Sequence, residues 1–304
     1  MLTLLHFSDV HLTVPRLGWR RRDWFSKKVL GWMNVKVLGR GRRFKHATLV
    51  ATEMIAQAVM KKYDGWLFTG DATKLAFGPE FTQAAKVLRV GEPEMPPVVA
   101  VPGNHDYYTT RDAQSGKFEQ AFGSWLEGVR VDGHRYPYAR KMGHVWVIVL
   151  NTSNPRGWSA SASATAGEQQ LHRLTALCQR LDPGPRILAT HYPLRDAGGD
   201  VERRSHRLLD HDACLKAAIA NGIGLWIHGH IHKPFVLPAS ADVPFPMICV
   251  GSATQTKRWS HNIYVIDGYR LTMTRRTWNP ERTDFDVSHV EKLELRRETE
   301  AVQQ

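Results

Sequence analysis

Five short polar clusters, each closing an apolar run, constrain this 304-residue chain more than any other feature. LTLLHFS leads into Asp9-Val10-His11, and GWLFTGD ends on Gly70-Asp71. PPVVAVPGNHD ends on Gly103-Asn104-His105-Asp106, RILATHYP carries His191, and IGLWIHGHIH ends on His230 and His232. Short apolar runs bounded by turn residues read as buried strands. Residues i and i+2 of an extended chain point to the same side, so Asp9 and His11, or His230 and His232, can face one site together. Any one cluster alone is an ordinary strand-end turn, and Gly-Asn is itself turn chemistry. Five in order, all at strand ends, describe a site. Imidazole with carboxylate suits Zn, Fe or Mn better than Ca, and the lack of thiolates in the set argues against iron–sulfur or copper–thiolate chemistry.

Between these runs, HATLVATEMIAQAVMKKY has helical periodicity, and PEFTQAAKVLRV reads as a helix with Pro79 at its start. VWVIVLNTS is a further strand, and helices are expected near Gly167–Arg180 and Asp210–Asn221. The last third, FPMICVGSAT, HNIYVIDG and YRLTMTRRTW, alternates like antiparallel strands, and the polar stretch from Glu291 reads as a frayed helix. Strand–helix alternation followed by a strand-rich end predicts a mixed α/β sandwich. One domain is expected over 1–288, with a polar tail over 289–304. In open α/β sheets ligands gather at the carboxyl ends of strands, where each cluster sits.

The order D-x-H, GD, GNHD, lone His, GHxH resembles the calcineurin-like metallophosphoesterases of bacterial type, over most of the chain from Asp9 to His232. The resemblance implies a four-layer α/β/β/α sandwich with a two-metal centre holding Mn, Fe or Zn. It would place Asp9, His11 and His232 on one metal, Asn104, His191 and His230 on the other, and Asp71 between them. It implies phosphoester hydrolysis by a hydroxide shared between the metals, with His105 as proton donor to the leaving oxygen. Asp106 either orients the His105 ring or caps the turn. Asn104 and His105 would also touch the substrate; a neutral Asn104 ligand lowers the negative charge an anionic phosphate meets.

Composition sharpens the reading at one place. The chain carries a net charge of +12, and the stretch RLGWRRRDWFSKKVLGWMNVKVLGRGRRFK, residues 16–45, holds eleven Lys/Arg against one acid, Asp23. This insert of 14–45 follows the first strand, where it would hang over the mouth of the site. Taken as a helix over Phe25–Val37, it puts Phe25, Val29, Trp32, Met33 and Val37 on one face, with Lys27, Lys28 and Asn34 largely elsewhere and Lys36 able to snorkel. Three uses are open: a lid packing that face on the core, contact with an anionic membrane surface, or contact with nucleic acid. Nucleic acid ranks last because the apolar residues cluster on one helical face and the rest of the chain is nearly neutral.

The substrate expected is a phosphodiester or pyrophosphate, lipid-linked at a membrane surface as for UDP-diacylglucosamine hydrolases. Alternatives are a cyclic-nucleotide phosphodiesterase, a nuclease, and a non-catalytic membrane-associated adaptor. Arg156 in NTSNPRGW is a candidate substrate contact, though a polar turn built on Asn-Pro and Gly is the favoured explanation of the stretch. SASASATAGE reads as a loop near the site. Arg203, Arg204 and His206 read as a solvated loop or an edge of the pocket. Cys178, Cys214 and Cys249 are too sparse for a disulfide framework. With no signal-peptide pattern and no apolar stretch long enough to span a bilayer, a cytoplasmic protein is expected, peripheral to the inner face of the membrane.

Overall fold

The Val145–Val149 strand shows how the core is divided. Val145, Val147 and Val149 point into one apolar cluster, while Trp146, Ile148 and the following Leu150 point into another. Neighbouring strands split the same way: Ile187 and Ala189 against Leu188, Leu225 and Ile227 against Trp226. Strands covered on both faces read as continuous apolar runs rather than alternating ones. The computed structural model describes residues 1–37, 39–155 and 161–297.

Two mixed sheets result. The first runs Asp284–Glu294, Arg270–Asn279, His261–Asp267, Leu2–Phe7, Gly65–Phe68, Val98–Ala100, and its last three strands are parallel. The second runs Phe235–Leu237, Met247–Cys249, Leu225–His228, Arg186–Ala189, Val145–Val149, Tyr138–Met142, Val129–Arg130. Side chains of both sheets share the larger cluster, so the sheets face each other across it. Helices Ala47–Lys61 and Gly78–Val87 add Val50, Met54, Ile55, Phe81 and Ala84 to that cluster. Helices Glu168–Cys178 and His211–Ala220 cover the outer face of the second sheet with Leu171, Leu174, Leu177 and Leu215. This is the expected helix-flanked double sheet.

The C-terminal expectation fails. Residues 291–294 are not helical; they complete the Asp284–Glu294 strand, which pairs antiparallel with Arg270–Asn279 up to Arg270↔Glu294. Leu293 and buried Leu295 alternate with Lys292 and Glu294, a period of two that suits an edge strand, whose outward charges also discourage edge-to-edge pairing.

The insert forms a 3₁₀ turn over Arg21–Phe25, a helix over Lys27–Lys36 capped by Ser26, and a second 3₁₀ turn over Arg40–Phe44. It has a small core of its own, in which Leu17, Leu75 and Phe77 pack with Val14, Trp19, Trp32 and Tyr108. Trp19 stacks on Trp24 with centroids 4.8 Å apart and meets Phe77 at 4.9 Å. Its orientation contradicts the lid reading in which the apolar face packs inward. The helix is buried through Lys28 and Gly31. Lys28 is 3% exposed; its Nζ donates to Asp112 Oδ1 at 2.9 Å and to the Ala76 carbonyl at 3.1 Å. A Cβ on Gly31 would stand 2.2 Å from the Tyr108 hydroxyl, so only glycine permits this approach. Phe25 is 82% exposed and Val37 68%, while Val29 and Trp32 are half-buried. An ammonium with a paired carboxylate fixes the helix phase where apolar periodicity alone points the other way.

Candidate metal centre

The carboxyl ends of five parallel strands meet at one edge of the sandwich. Leu2–Phe7, Gly65–Phe68 and Val98–Ala100 of the first sheet deliver Asp9, His11, Asp71 and Asn104. Arg186–Ala189 and Leu225–His228 of the second deliver His191, His230 and His232. The turns are laced together: Asp9 N–H donates to the Gly70 carbonyl, His11 N–H to Asp71 and Gly229 N–H to His191. Asp9, His11, Asp71, His230 and His232 all have positive φ, between 44° and 69°. Non-glycine residues take this conformation at a cost, and such strain collects at functional sites. Gly103 lies so close that an added Cβ would sit 2.0 Å from Asp71 Oδ1.

All seven expected ligands come together in two groups that share Asp71. His11 Nε2 lies 3.1 Å from His232 Nε2, and His232 Nε2 lies 3.0 Å from Asp9 Oδ1. Asp9, His11, Asp71 and His232 offer donor atoms all within 4.8 Å of one another. On the other side, Asn104 Oδ1 lies 3.1 Å from His191 Nε2 and 2.9 Å from His230 Nδ1. Asp71 Oδ2 is 3.5 Å from both His11 Nε2 and His191 Nε2.

Hydrogen bonds behind the site settle which nitrogen of each imidazole faces in. His11 Nδ1 faces the Thr73 carbonyl at 3.2 Å, His191 Nδ1 the Thr69 carbonyl at 2.7 Å, and His232 Nδ1 the Gln255 Oε1. His230 instead turns Nε2 to the His206 carbonyl at 3.1 Å. Each acceptor requires an N–H on the ring nitrogen it meets, which leaves a lone pair on the other. His11 Nε2, His232 Nε2, Asp9 Oδ1 and Asp71 Oδ2 then form one cluster of acceptors without a donor, and His191 Nε2, His230 Nδ1 and Asn104 Oδ1 form a second. Asp9 Oδ1 is buried with no aligned hydrogen bond despite its short distance to His232.

Electrostatics agree. Burial pushes Asp71 well above the usual carboxylate range, and Asp9 and Asp106 add to the shift. Burial would also raise Asp9, but His232, His11 and His191 reverse it and hold Asp9 well below the ordinary value. Burial lowers His11 to about 4 and lowers His191 and His230, so all three are neutral, as metal ligands must be. Burial also pulls on His232, but Asp9 raises it: a positive charge is favoured at that point. Two divalent cations fit this donor set. Converging lone pairs, nitrogen and oxygen ligands and oriented imidazoles are the marks of a metal site with its supporting shell.

His105 stands beside the centre, its ring 4.7 Å from that of His11 and nearly perpendicular to it. Its backbone N–H donates to Asp71 Oδ1 at 2.7 Å. The expectation that Asp106 orients this ring is not met, because His105 Nδ1 pairs with the Lys74 carbonyl at 2.6 Å. Asp106 is instead the turn cap: its carboxylate accepts from the backbone N–H groups of Ala72, Thr73 and Gly103 and from Thr73 Oγ1. Burial raises it to about 6. Arg156 lies outside the described residues. Arg203 and Arg204 are exposed, while His206 lines the cavity and holds His230 through its carbonyl.

Sequence reasoning missed several members of the site. Gln255 carries no motif, and the carbonyls of Thr69, Thr73 and His206 have no residue-type signature at all. Glu202, raised by burial to about 7, lies 3.6 Å from His230 Nε2. Phe44 of the insert packs against the His11 ring at 4.7 Å. Lys74 is 6% exposed, sits over the Phe44 ring at 5.1 Å, and is lowered by burial to about 8. Its place three residues after Asp71 was the one signal in the chain that pointed to it.

A cavity of about 380 Å³ opens over the centre, floored by the ligands and roofed by Gly31, Asn34, Val35, Arg43 and Phe44 of the insert. A family model described as calcineurin-like phosphoesterase matches residues 2–234. No curated protein matches the chain significantly in sequence. Among solved structures, a dimetal phosphatase from Danio rerio is similar at TM-score 0.63 and 13% identity, covering 97% of this chain and 99% of that one. A purple acid phosphatase from yellow lupin (Lupinus luteus) seeds is similar at TM-score 0.63 and 12% identity, covering 100% of this chain and 55% of that one. GAP50, described as the anchor in the inner membrane complex of Plasmodium, is similar at TM-score 0.54 and 13% identity, covering 99% and 93%. At such identities the likeness is one of fold.

Proposed function

We propose that this chain, which belongs to the calcineurin-like phosphoesterase family, hydrolyses a phosphoester at a dinuclear metal centre. One observation carries the reading: two groups of inward lone pairs, lacking donors, that meet on Asp71 Oδ2. Asp9, His11 and His232 would hold one cation, Asn104, His191 and His230 the other, with Asp71 between them. Bound there, the cations supply Lewis acidity to the phosphoryl oxygens and make a water acidic enough to act near neutral pH.

The chain's own groups do the rest. Carbonyl partners keep four imidazoles in the tautomer that binds. Asn104 contributes a neutral oxygen, which spares an approaching phosphate one negative charge. His105 turns Nε2 away from its Lys74 partner, beside His11, within reach of the departing oxygen. Burial lowers the ring well below its ordinary range, so it would donate only once the negative charge of the bound phosphoester favours its protonation. The insert closes one side of the cavity and limits water there.

The substrate reading places this chemistry at an anionic membrane surface. Five of the eleven large apolar side chains exposed among the described residues are Trp24, Phe25, Leu30, Met33 and Val37. Exposed Arg20, Arg21, Arg22, Lys36, Arg42, Arg43 and Lys45 surround them. An apolar helix face turned to solvent among cations has the composition of an interfacial anchor. No helix among the described residues is long and apolar enough to cross a membrane.

The reaction is tested with Mn²⁺-loaded protein on bis(p-nitrophenyl) phosphate, p-nitrophenyl phosphate and pyrophosphate. Turnover should be lost in Asp71→Asn and reduced at least about a hundredfold in His105→Ala. Equal rates in wild type and Asp71→Asn on all three would refute the centre. The membrane reading is tested by co-sedimentation with phosphatidylglycerol and phosphatidylcholine vesicles. Salt-sensitive binding to the first alone, lost in a Trp24→Ser/Phe25→Ser/Leu30→Ser variant, is expected; no binding to either would sink it.

A further inference from the structure

A second cavity, about 680 Å³, lies between the insert and the body, within the range that holds a sizeable organic ligand. It shares His11, Val35, Phe44, Lys74 and Leu75 with the cavity over the metal centre, so the two lie side by side across these residues. Its far part is aliphatic and aromatic, with Val14, Leu17, Trp32 and Val37, and Lys36, Arg42 and Lys45 stand at its rim. Among the described residues no acidic side chain lines it.

Lys74 stands where the two spaces join. Its ammonium has no ion pair or side-chain hydrogen bond among the described residues, although the residue is 6% exposed. The acid nearest in its electrostatics, Glu80, is committed elsewhere: it accepts from Thr13 Oγ1 and from the N–H groups of Leu75 and Phe77. The Lys74 stem is buried while the ammonium keeps access to the cavities, where a cation whose nearest acid is committed elsewhere favours an anionic ligand.

We propose that this cavity is a binding subsite for an amphiphilic phosphoester, whose anionic head meets Lys74 beside the metal centre and whose hydrocarbon chain runs between the insert and the body. The proposal rests on the phosphoester reading and names the substrate class. A chain is favoured over a nucleoside because the wall carries aliphatic side chains and lacks a carboxylate or amide side chain that could pair with a base edge. The same insert turns its apolar outer face to solvent, which gives a chain a path from a lipid surface.

The test uses straight-chain alkylphosphonates of two to twelve carbons, which resist hydrolysis, with binding read by calorimetry on the Mn²⁺-loaded protein. Affinity should rise with length, by up to about fourfold for each methylene fully buried. Lys74→Met should weaken every probe by at least about tenfold and leave the length dependence intact, a pattern a misfolded variant would not give. Val14→Trp and, on the exposed side of the cavity, Thr48→Trp should flatten the length dependence. Affinity independent of chain length in the wild-type protein, AMP binding tighter than the twelve-carbon probe, or unchanged binding in Lys74→Met would each overturn the subsite. Hydrolysis of bis(p-nitrophenyl) phosphate is scored separately: with turnover intact and length dependence absent, the subsite fails alone; with turnover absent, the catalytic reading fails.

Discussion

Beside its small apolar core, the insert is held to the body by one buried charge cluster, and removing that cluster should loosen the insert without melting the domain. Lys28 Nζ and Lys117 Nζ both donate to Asp112 Oδ1, at 2.9 and 2.8 Å, and both reach the Ala76 carbonyl, at 3.1 and 3.0 Å. In Lys28→Met, Asp112 keeps Lys117 and the Thr109 hydroxyl, and Ala76 keeps Lys117, so no buried acceptor is orphaned. The loss is then limited to charge-assisted hydrogen bonds, partly offset because burial disfavours the Lys28 charge, or about 1–2 kcal/mol. Asp112→Asn is the harsher change. It leaves two ammonium groups facing one site with no anion, which costs about 3–5 kcal/mol. In hydrogen exchange, amides of Leu30–Val35 should then open roughly 5- to 30-fold more often in Lys28→Met and at least about 150-fold more often in Asp112→Asn. Amides of the Arg186–Ala189 strand should be unaffected in Lys28→Met. If Lys28→Met proves as damaging as Asp112→Asn, or if strand amides lose protection in parallel with the insert, the charge cluster is not a local latch and the reasoning is wrong.

Gly103→Ala should displace the Asp71 carboxylate and its backbone, since the new Cβ would stand 2.0 Å from Oδ1 and 2.4 Å from the Asp71 backbone nitrogen; loss of bound Mn²⁺ by elemental analysis, with a lowered thermal transition, is the expected result. Gln255→Leu removes the acceptor that orients His232 and should weaken Mn²⁺ binding about 10- to 100-fold by competition with a chelator. Burial lowers His261 to about 3, below its unfolded value of about 6.5, so the unfolded chain binds the extra proton between those values. Its stability contribution is present above about pH 6.5 and is lost as pH falls toward 3, with a slope of about 1.4 kcal/mol per pH unit. His261→Gln should remove one proton from the slope of urea-unfolding free energy against pH over that window, and an unchanged slope would show that His261 protonates freely in the folded state.

By itself the sequence determined the double sheet and the seven residues that converge on the candidate centre, because both are written in local patterns. A strand that must be buried on both faces is a run such as VWVIV, and a ligand that must turn inward at a strand end is a short polar residue beside glycine. The i, i+2 spacing of Asp9 with His11 and of His230 with His232 marked the right residues, although left-handed turns rather than extended chain bring them in. The edge strand over Asp284–Glu294 was less legible, since its charges hide the alternation of Leu293 and Leu295. Tertiary structure alone decided the rest. The inward nitrogen of His11, His191 and His230 depends on backbone carbonyls, which every residue possesses and no sequence marks. Asp106 became a cap rather than an orienting group because the N–H groups of Ala72 and Thr73 from another turn and of Gly103 from its own all reach it. The facing of the insert helix was decided by Asp112, eighty-four positions from Lys28, and by the hydroxyl of Tyr108 against Gly31. Apolar periodicity tells which side chains share a face; only the partner available in space tells whether that face is turned inward.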